Sequence, residues 1–482
     1  MEDVTMLLSL LEGKTLEFKR DLSSPKNLLK TLVAFANTAG GKVIIGVEDK
    51  TKGILGVDNP LDEEERLANT IADGIAPRLV PEIEMITIAG KTLLIVEVYP
   101  SNSRPHYLKP VGIEAGVYVR LGSSNRQADR ELIAELRRSV EGLAFDEMPM
   151  LELSIADLDR QSIEKSFGKQ RQLDEAAFQT LKLLRLEQGK LVPTKGAILL
   201  FGRERVFHFP DAWVQCGRFI GTDKARIFDH IEIEEPLPQA VDSIMLFLKK
   251  HAFRGADFSE VRRRDVWSIP LEILREVVIN ALVHSDYSQR GAPIRVAFFD
   301  DRIEVENPGI LLPGMTIEDM KRGTSKIRNP VIARVFRELK LIEQWGSGVS
   351  RIFREAKDLG LPPPEIVEIA LRLRFIIYLG TEVAVVSPTE AQVEAQVEAQ
   401  VGAQVDLEIL AACSSQILSS AEIAAVLGHK QLSGNIRKAL ARLRKAGLLE
   451  YTIPDKPTSS LQKYRITAAG RTLLENFPNR HE

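Results

Sequence analysis

Residues 271–287 read LEILREVVINALVHSDY, a long helical pattern that carries Glu276, Asn280 and His284 at i, i+4 and i+8. That spacing puts the three on one helical face. Polar groups on an otherwise apolar helix need partners, because burying them unpaired costs free energy. A carboxylate and an amide side by side can orient a water and coordinate a magnesium ion that already carries substrate phosphates. Further on, VENPGILLPG (305–314) places a Pro and a Gly in a tight turn after a strand, and Gly346-Ser347-Gly348 precedes a helical stretch, Val349–Asp358. Backbone N–H groups at a glycine-rich helix start form a phosphate cradle. Each piece alone has a plainer reading, a turn for Gly-Ser-Gly and a structural hydrogen bonder for Asn280; it is their order along the chain that is informative.

The α/β block that carries these pieces spans 191–385, with strands expected at AILLFG (197–202), IRVAFF (294–299) and RIEVENPG (302–309). A first α/β block, 1–140, precedes it. There a helix, Ser24–Ala39, stops at Gly40-Gly41, and strands follow at KVIIGVED (42–49), TLLIVEVYP (92–100) and GVYVRLG (116–122). Residues 141–190 are polar and helical, a connector. TEAQVEAQVEAQVGAQVD, from Thr389 to Asp406, is a four-residue repeat. Its valines drift ~40° per repeat around a helix, so segment 386–405 reads as a semi-rigid linker or a short self-association helix.

Residues 406–482 form a small last domain. DLEILAAC, SSAEIAAVLG and QLSGNIRKALARLRKAGLL are three successive helical patterns, the second capped by Ser420 and ended by Gly428. LLEYTIP and SLQKYRIT are two strands around a polar tip, the outline of a winged helix. Between Gly428 and Leu449 lie six Lys or Arg and no acid, while Ile436, Leu440, Leu443 and Leu448 mark the buried side. A helix so charged suits a phosphate-lined groove. Lys430, Gln431, Ser433, Asn435, Arg437, Lys438 and Arg442 are the candidate DNA contacts.

The totals limit the function classes. Net charge is −3 over 482 residues, so any nucleic-acid site must be a local patch. Two cysteines, Cys216 and Cys413, give neither metal-ligand spacing nor a disulfide framework. No long apolar run or signal peptide is seen, so no membrane partner and a cytoplasmic location are expected. No Gly-x-x-x-x-Gly-Lys-Ser/Thr motif occurs, which argues against a helicase motor.

In this order, REVVINALVHSDY, VENPGIL, RGTSKIRNPVIARVF and EQWGSGVSRI resemble the C-terminal block of RecG-related regulators. That block is similar to the GHKL ATP-binding α/β sandwich shared by gyrase, Hsp90, histidine kinases and MutL. The resemblance implies ATP and Mg2+ as ligands, Glu276 as water activator and Asn280 as magnesium ligand, with His284 and Asp286 continuing the motif. It puts Asn307 and Gly309 at the adenine-reading position, Arg328 and Asn329 in the lid region, and Gly346 and Gly348 in the phosphate loop. Asn307 stands where the wider fold has Asp, an amide lacking the charge.

EGKTLEFK (12–19), FANTAGGKVIIGVEDKTKGILGV (35–57) and GVYVRLGSSNRQA (116–128) together resemble the Schlafen-type AlbA-like domain. The resemblance implies nucleic-acid binding, with Lys19, Arg104, Arg120, Ser123, Ser124 and Arg126 as phosphate contacts. A related fold carries an acidic nuclease centre, for which Glu12, Glu17, Glu48 and Asp49 are the candidates, although Glu17 can instead pair with Lys19 or Arg120. The expected protein is an α/β multidomain, DNA-binding transcriptional regulator, homo-oligomeric, in which nucleotide binding modulates DNA contacts. The alternative is an ATP-gated, metal-dependent nuclease.

Overall fold

The computed structural model describes residues 4–49, 51–168, 173–257, 264–267, 269–342 and 348–379, then 406, 409–414, 416–427, 434–453 and 462–475. The chain forms two compact units, Met1–Val385 and Val386–Glu482. The Ala-Gln-Val repeat lies outside the described residues, as do Gly346, Gly428, Lys430, Gln431 and Ser433.

The first unit opens with β1 (Leu16–Lys19), α1 (Pro25–Asn37) and β2 (Gly41–Ile45). β3 (Glu82–Ile88) and β4 (Lys91–Val98) complete a sheet of order β1-β2-β4-β3, with β1 and β2 parallel. Val43, Ile44 and Ile45 are all buried because both faces of β2 are covered. Leu28, Leu32 and Phe35 of α1 pack on Val43 and Ile45, while Phe18, Ile44 and Leu93 form a second core beneath. Gly40 ends the helix at φ +77°, where a Cβ would lie 2.7 Å from the Val98 carbonyl oxygen. Both the hand of the turn and its crowding therefore demand glycine. A hairpin, β5 (Tyr118–Leu121) and β6 (Ser124–Gln127), leads into α2 (Arg130–Glu141), whose first turn is capped by the Asp129 carboxylate.

AILLFG, expected as a strand, is the helix α3 (Lys195–Phe201). Every residue from Gly196 to Phe201 is buried, so no polar face betrays the period, and a short apolar run cannot tell strand from helix. The signal that decides is Thr194, whose hydroxyl accepts the Ala197 N–H as an N-cap. The expected polar connector is also more than a spacer. Leu158, Ile163, Phe178 and Leu181 are buried in the same core as α3, where short helices hold them.

A six-stranded sheet follows from β7 (Val214–Phe219), β8 (Ile227–Ile233), β9 (Ile294–Phe298), β10 (Arg302–Pro308), β11 (Glu365–Ile369) and β12 (Arg372–Tyr378). Its order is β8-β7-β9-β10-β12-β11, with only β7 and β9 parallel. α4 (Leu237–Ala252) and α5 (Leu271–His284) pack together. Val277, Val278 and Leu282 of α5 share the core with Val296, Val305 and Phe375 of the sheet. α6 (Pro330–Glu338) and α7 (Gly348–Asp358) complete the layer, both touching α5. No described helix is long and apolar enough to cross a membrane.

In the second unit, α8 (Ser420–Val426) and α9 (Gly434–Lys445) precede the antiparallel strands β13 (Leu449–Tyr451) and β14 (Tyr464–Ile466), and α10 (Ala468–Glu475) follows. The cap is Ser419, not Ser420. Its hydroxyl accepts the Glu422 N–H at 3.3 Å, and the Glu422 carboxylate accepts the Ser419 N–H at 2.7 Å. Glu three residues after a serine closes a capping box, and only Ser419 has that spacing. Ile436, Leu440 and Leu443 are buried as expected; Leu448 is half-buried. Arg437 is exposed on α9, which also carries Asn435, Lys438 and Arg442, whose side chains lie outside the described residues.

Candidate functional site

The polar face of α5 borders a cavity of about 230 Å³ between that helix, the ends of β10 and β12, and the segment leading to α6. Glu276, Asn280 and His284 all line it, with Asn307, Gly309 and Gly348. Asn280 Nδ2 donates to the Glu276 backbone oxygen at 2.8 Å and to Glu276 Oε1 at 3.0 Å. The amide nitrogen is thus used within the helix, which leaves Oδ1 as the acceptor for the cavity, an oxygen ligand of the kind Mg2+ takes. Glu276 Oε2 accepts from Arg351 of α7 at 3.2 Å. Gly348 lies against the same carboxylate, since a Cβ there would fall on Glu276 Oε1. Burial holds His284 down to about 4, so its imidazole is neutral at pH 7 and offers no positive charge to a phosphate.

At the other end, Asn307 is buried on β10 and its Nδ2 donates to the Pro308 carbonyl at 3.1 Å. Its Oδ1 remains the acceptor a base amino group would need. Gly309 turns at φ +103°, packed so closely that a Cβ would lie 3.0 Å from Asp286 Cβ and 3.1 Å from Arg328 Cζ. The walls are apolar: Leu312, Met315, Leu373 and Phe375. Wide apolar lining with a few convergent polar groups is the usual character of a small-molecule pocket.

Three residues of the expected motif have other places. Asp286 does not line this cavity. It accepts from the backbone and hydroxyl of Ser288 and from Gln289, and burial raises its pKa. Asn329 is fully buried and its Nδ2 donates to the Val283 and Ser285 carbonyls, pinning the end of α5. Arg328 borders the cavity but is buried, ion-paired to Glu135 of α2 and donating to the Ile310 carbonyl. Neither residue is an open lid position; both are internal clamps. Sequence reading missed Arg351, Lys326, Met315 and Phe375. Only Arg351 left a trace, three residues past Gly348 on one helical face.

In the first sheet, Arg120 is fully buried and ion-paired to Glu17, which also pairs with Lys19. Arg120 further donates to the Gly13 carbonyl and to Asn125 Oδ1, both at 3.0 Å. It is therefore an internal strut and not a phosphate contact. Glu12 accepts the Phe18 N–H at 2.8 Å, Glu48 lies 4.0 Å from Arg20, and Asp49 is exposed. These acids do not gather, and among the described residues no group of three or more His, Cys, Asp or Glu is set to hold a metal. Ser123, Ser124 and Arg126 are exposed on the β5–β6 hairpin, whereas Arg104 is half-buried far from it in sequence.

Residues 12–129 match the Schlafen AlbA_2 family model, residues 291–377 the model described as putative ATP-dependent DNA helicase recG C-terminal, and residues 404–467 that of the Fic-like protein C-terminal domain. The chain thus joins an AlbA-like domain to an ATPase-like one. Each match is to one segment: the first domain is similar to Schlafen AlbA_2 domains and the second to the recG C-terminal model. No curated protein matches it. Among solved structures, the DIP2311 protein of Corynebacterium diphtheriae is 18% identical, with 96% of this chain and 98% of that one covered and a TM-score of 0.40. The N-terminal domain of a putative ATP-dependent DNA helicase RecG-related protein from Nitrosomonas europaea is 30% identical. It covers 27% of this chain and 94% of its own length at a TM-score of 0.22.

Proposed function

We propose that this chain is an ATP-binding, DNA-binding transcriptional regulator in which nucleotide modulates the DNA contacts. The observation that carries the reading is the α5 cavity, with Glu276 and Asn280 at one end and Asn307 and Gly309 at the other. Adenine would sit against Asn307, and the phosphates with Mg2+ would face Asn280. Magnesium there would screen phosphate charge, while Glu276 would orient a water. DNA would be held by the exposed hairpin residues Ser123, Ser124 and Arg126 and by the C-terminal unit, read as a winged helix with α9 as its recognition helix. The acid-free basic face of α9, followed by a two-stranded hairpin, supports that assignment. Winged-helix proteins commonly pair on two-fold sites, so a homo-oligomer is part of the proposal.

The turn after β10 supplies a physical link between nucleotide and N-terminal domain. Gly314 N–H donates to the Thr38 carbonyl at 2.9 Å, and Leu311 N–H to Glu368, which pairs with Lys14. Ligand contacts with Leu311 and Leu312 therefore bear on Thr38 and Lys14, which flank the first sheet. The test is titration of labelled ATP with magnesium into the full chain and into Asn280→Ala. Removing the oxygen ligand should weaken binding by about tenfold or more, ~1.4 kcal/mol. Equal affinity in both proteins rejects the assignment.

A further inference from the structure

A second cavity, of about 440 Å³, lies on the seam between α2 of the first domain and the start of α6. Arg104, Arg138, Lys326 and Arg328 line it, against the acids Glu135, Glu147 and Asp286. The acids are already engaged. Glu135 pairs with Arg328, Glu147 with Lys182, and Asp286 accepts from Ser288 and Gln289. Among the described residues, Arg104, Arg138 and Lys326 form no carboxylate ion pair within 4 Å. Arg104 donates only to the Ser101 carbonyl and, at 3.4 Å, to Ser139 Oγ. Lys326 donates to the Pro313 carbonyl at 2.8 Å. Arg138 meets the face of the Phe145 ring at 5.4 Å. The Nε–H groups of Arg104 and Arg328 are buried without any acceptor, and Arg328 is only 7% exposed. Burial also lowers the pKa of both Arg104 and Arg138, with Asp286 and Glu141 opposing it for Arg138. Guanidinium groups do not deprotonate under ordinary conditions, so an anion bound here would offset the cost of their burial.

We propose that this seam cavity is a binding site for a small phosphate-bearing ligand, distinct from the α5 nucleotide cavity. Arginine forks recognise phosphate oxygens by paired, charge-assisted hydrogen bonds, and two arginines plus a lysine around one cavity suit a phosphoryl or pyrophosphoryl group. A duplex does not fit a cavity of this size, and the neighbouring exposed hairpin is the better surface for a long backbone. Residues Lys326, Ile327 and Arg328 line both cavities. Their position makes the two sites thermodynamically linked: a ligand that orders this segment from one side alters affinity on the other, reciprocally.

The test is isothermal titration of the full chain with pyrophosphate at constant ionic strength, against matched sodium chloride. Saturable binding is expected in the unaltered chain and in Asn280→Ala. In Arg138→Gln, whose side chain lines the seam cavity alone, and in Lys326→Gln, an exposed side chain shared by both cavities, it should weaken about tenfold. Circular dichroism establishes that each variant is folded. Absence of saturable binding overturns the proposal, as does equal affinity in the two seam variants. Loss of binding in Asn280→Ala assigns the anion to the nucleotide cavity instead and also overturns it. Competition by a single-stranded oligonucleotide without terminal phosphates would show that an internal backbone occupies the seam, again contrary to the proposal. ATP binding that fails in every protein while pyrophosphate binding persists refutes the nucleotide assignment alone.

Discussion

Replacing Asp146 by Asn should change how stability depends on pH. Asp146 is fully buried, and its Oδ2 accepts the N–H groups of Val331 and Ile332, at 2.7 and 3.0 Å, in the first turn of α6. Oδ1 has no hydrogen-bond partner. Desolvation outweighs those two bonds and pushes the carboxyl up to about 7. An unfolded aspartate titrates near ~3.9. As pH rises past ~4 the unfolded chain releases this proton while the folded chain keeps it, so the unfolded state binds fewer protons and stability falls. The fall runs until the folded carboxyl ionises near pH 7 and is complete above it. Across the whole window the loss is ~4 kcal/mol at most, and between pH 5 and 8.5 on the order of 3 kcal/mol. Asparagine keeps the shape and an oxygen for the two N–H groups but never ionises. Asp146→Asn should therefore gain on the unaltered chain as pH rises, being level or slightly weaker at pH 5 and clearly stronger at pH 8.5. Urea unfolding followed by tryptophan fluorescence reads this directly, because Trp213, Trp267 and Trp345 all belong to the first unit. Comparing the two proteins at each pH cancels the other titrating groups. A stability difference that stays constant with pH, or a variant that loses ground at pH 8.5, would refute the reasoning. The charged carboxylate would then be the native form, stabilised by the helix start.

Gly309→Ala should lower the melting temperature of the first unit by an amount equivalent to ~1–3 kcal/mol, because φ is +103° and the new Cβ meets Asp286 and Arg328. ATP binding should weaken with it, and an unchanged melting temperature rejects the crowding argument. Arg120→Met should cost ~3–5 kcal/mol in urea unfolding by leaving Glu17 buried with one lysine for company. A second change, Glu17→Gln, should restore part of that loss; no recovery means the guanidinium's bonds to Gly13 and Asn125 carry the effect.

The site's nearest neighbours in sequence were the most legible. Glu276, Asn280 and His284 fall on one face because a helix repeats every ~3.6 residues, and the cavity takes all three. Asn307 and Gly309 were marked by a strand running into Pro-Gly. Legibility stopped where function depends on packing between distant segments. Asn329 looks like a free amide in RGTSKIRNPVIARVF, but it is wholly occupied by carbonyls at the end of α5. Arg120 sits in an arginine-flanked polar stretch that suggests a phosphate contact; the partner that buries it, Glu17, is 103 residues away. α3 carries no helical periodicity in sequence, because total burial erases the polar half of the pattern. Ser419 and Ser420 compete for one cap, and the position of Glu422 settles which of them acts.

The contacts of Glu276 separate nucleotide binding from hydrolysis. A general base needs a carboxylate oxygen turned to the water it activates. Here Oε1 accepts from Asn280 and Oε2 from Arg351, and Gly348 closes over the same group. Binding makes no demand on that arrangement, since Asn280 Oδ1 and the Asn307 end are available while it stands. Hydrolysis does make a demand: a Glu276 oxygen must face the attacking water, and Arg351, which also lies 3.7 Å from Glu355 on its own helix, competes for Oε2. A shift of the Arg351 side chain from Glu276 toward Glu355 would thus free the carboxylate without moving α7. On the proposed nucleotide reading, this arrangement favours binding over hydrolysis, because the carboxylate that would orient the water is engaged by Arg351.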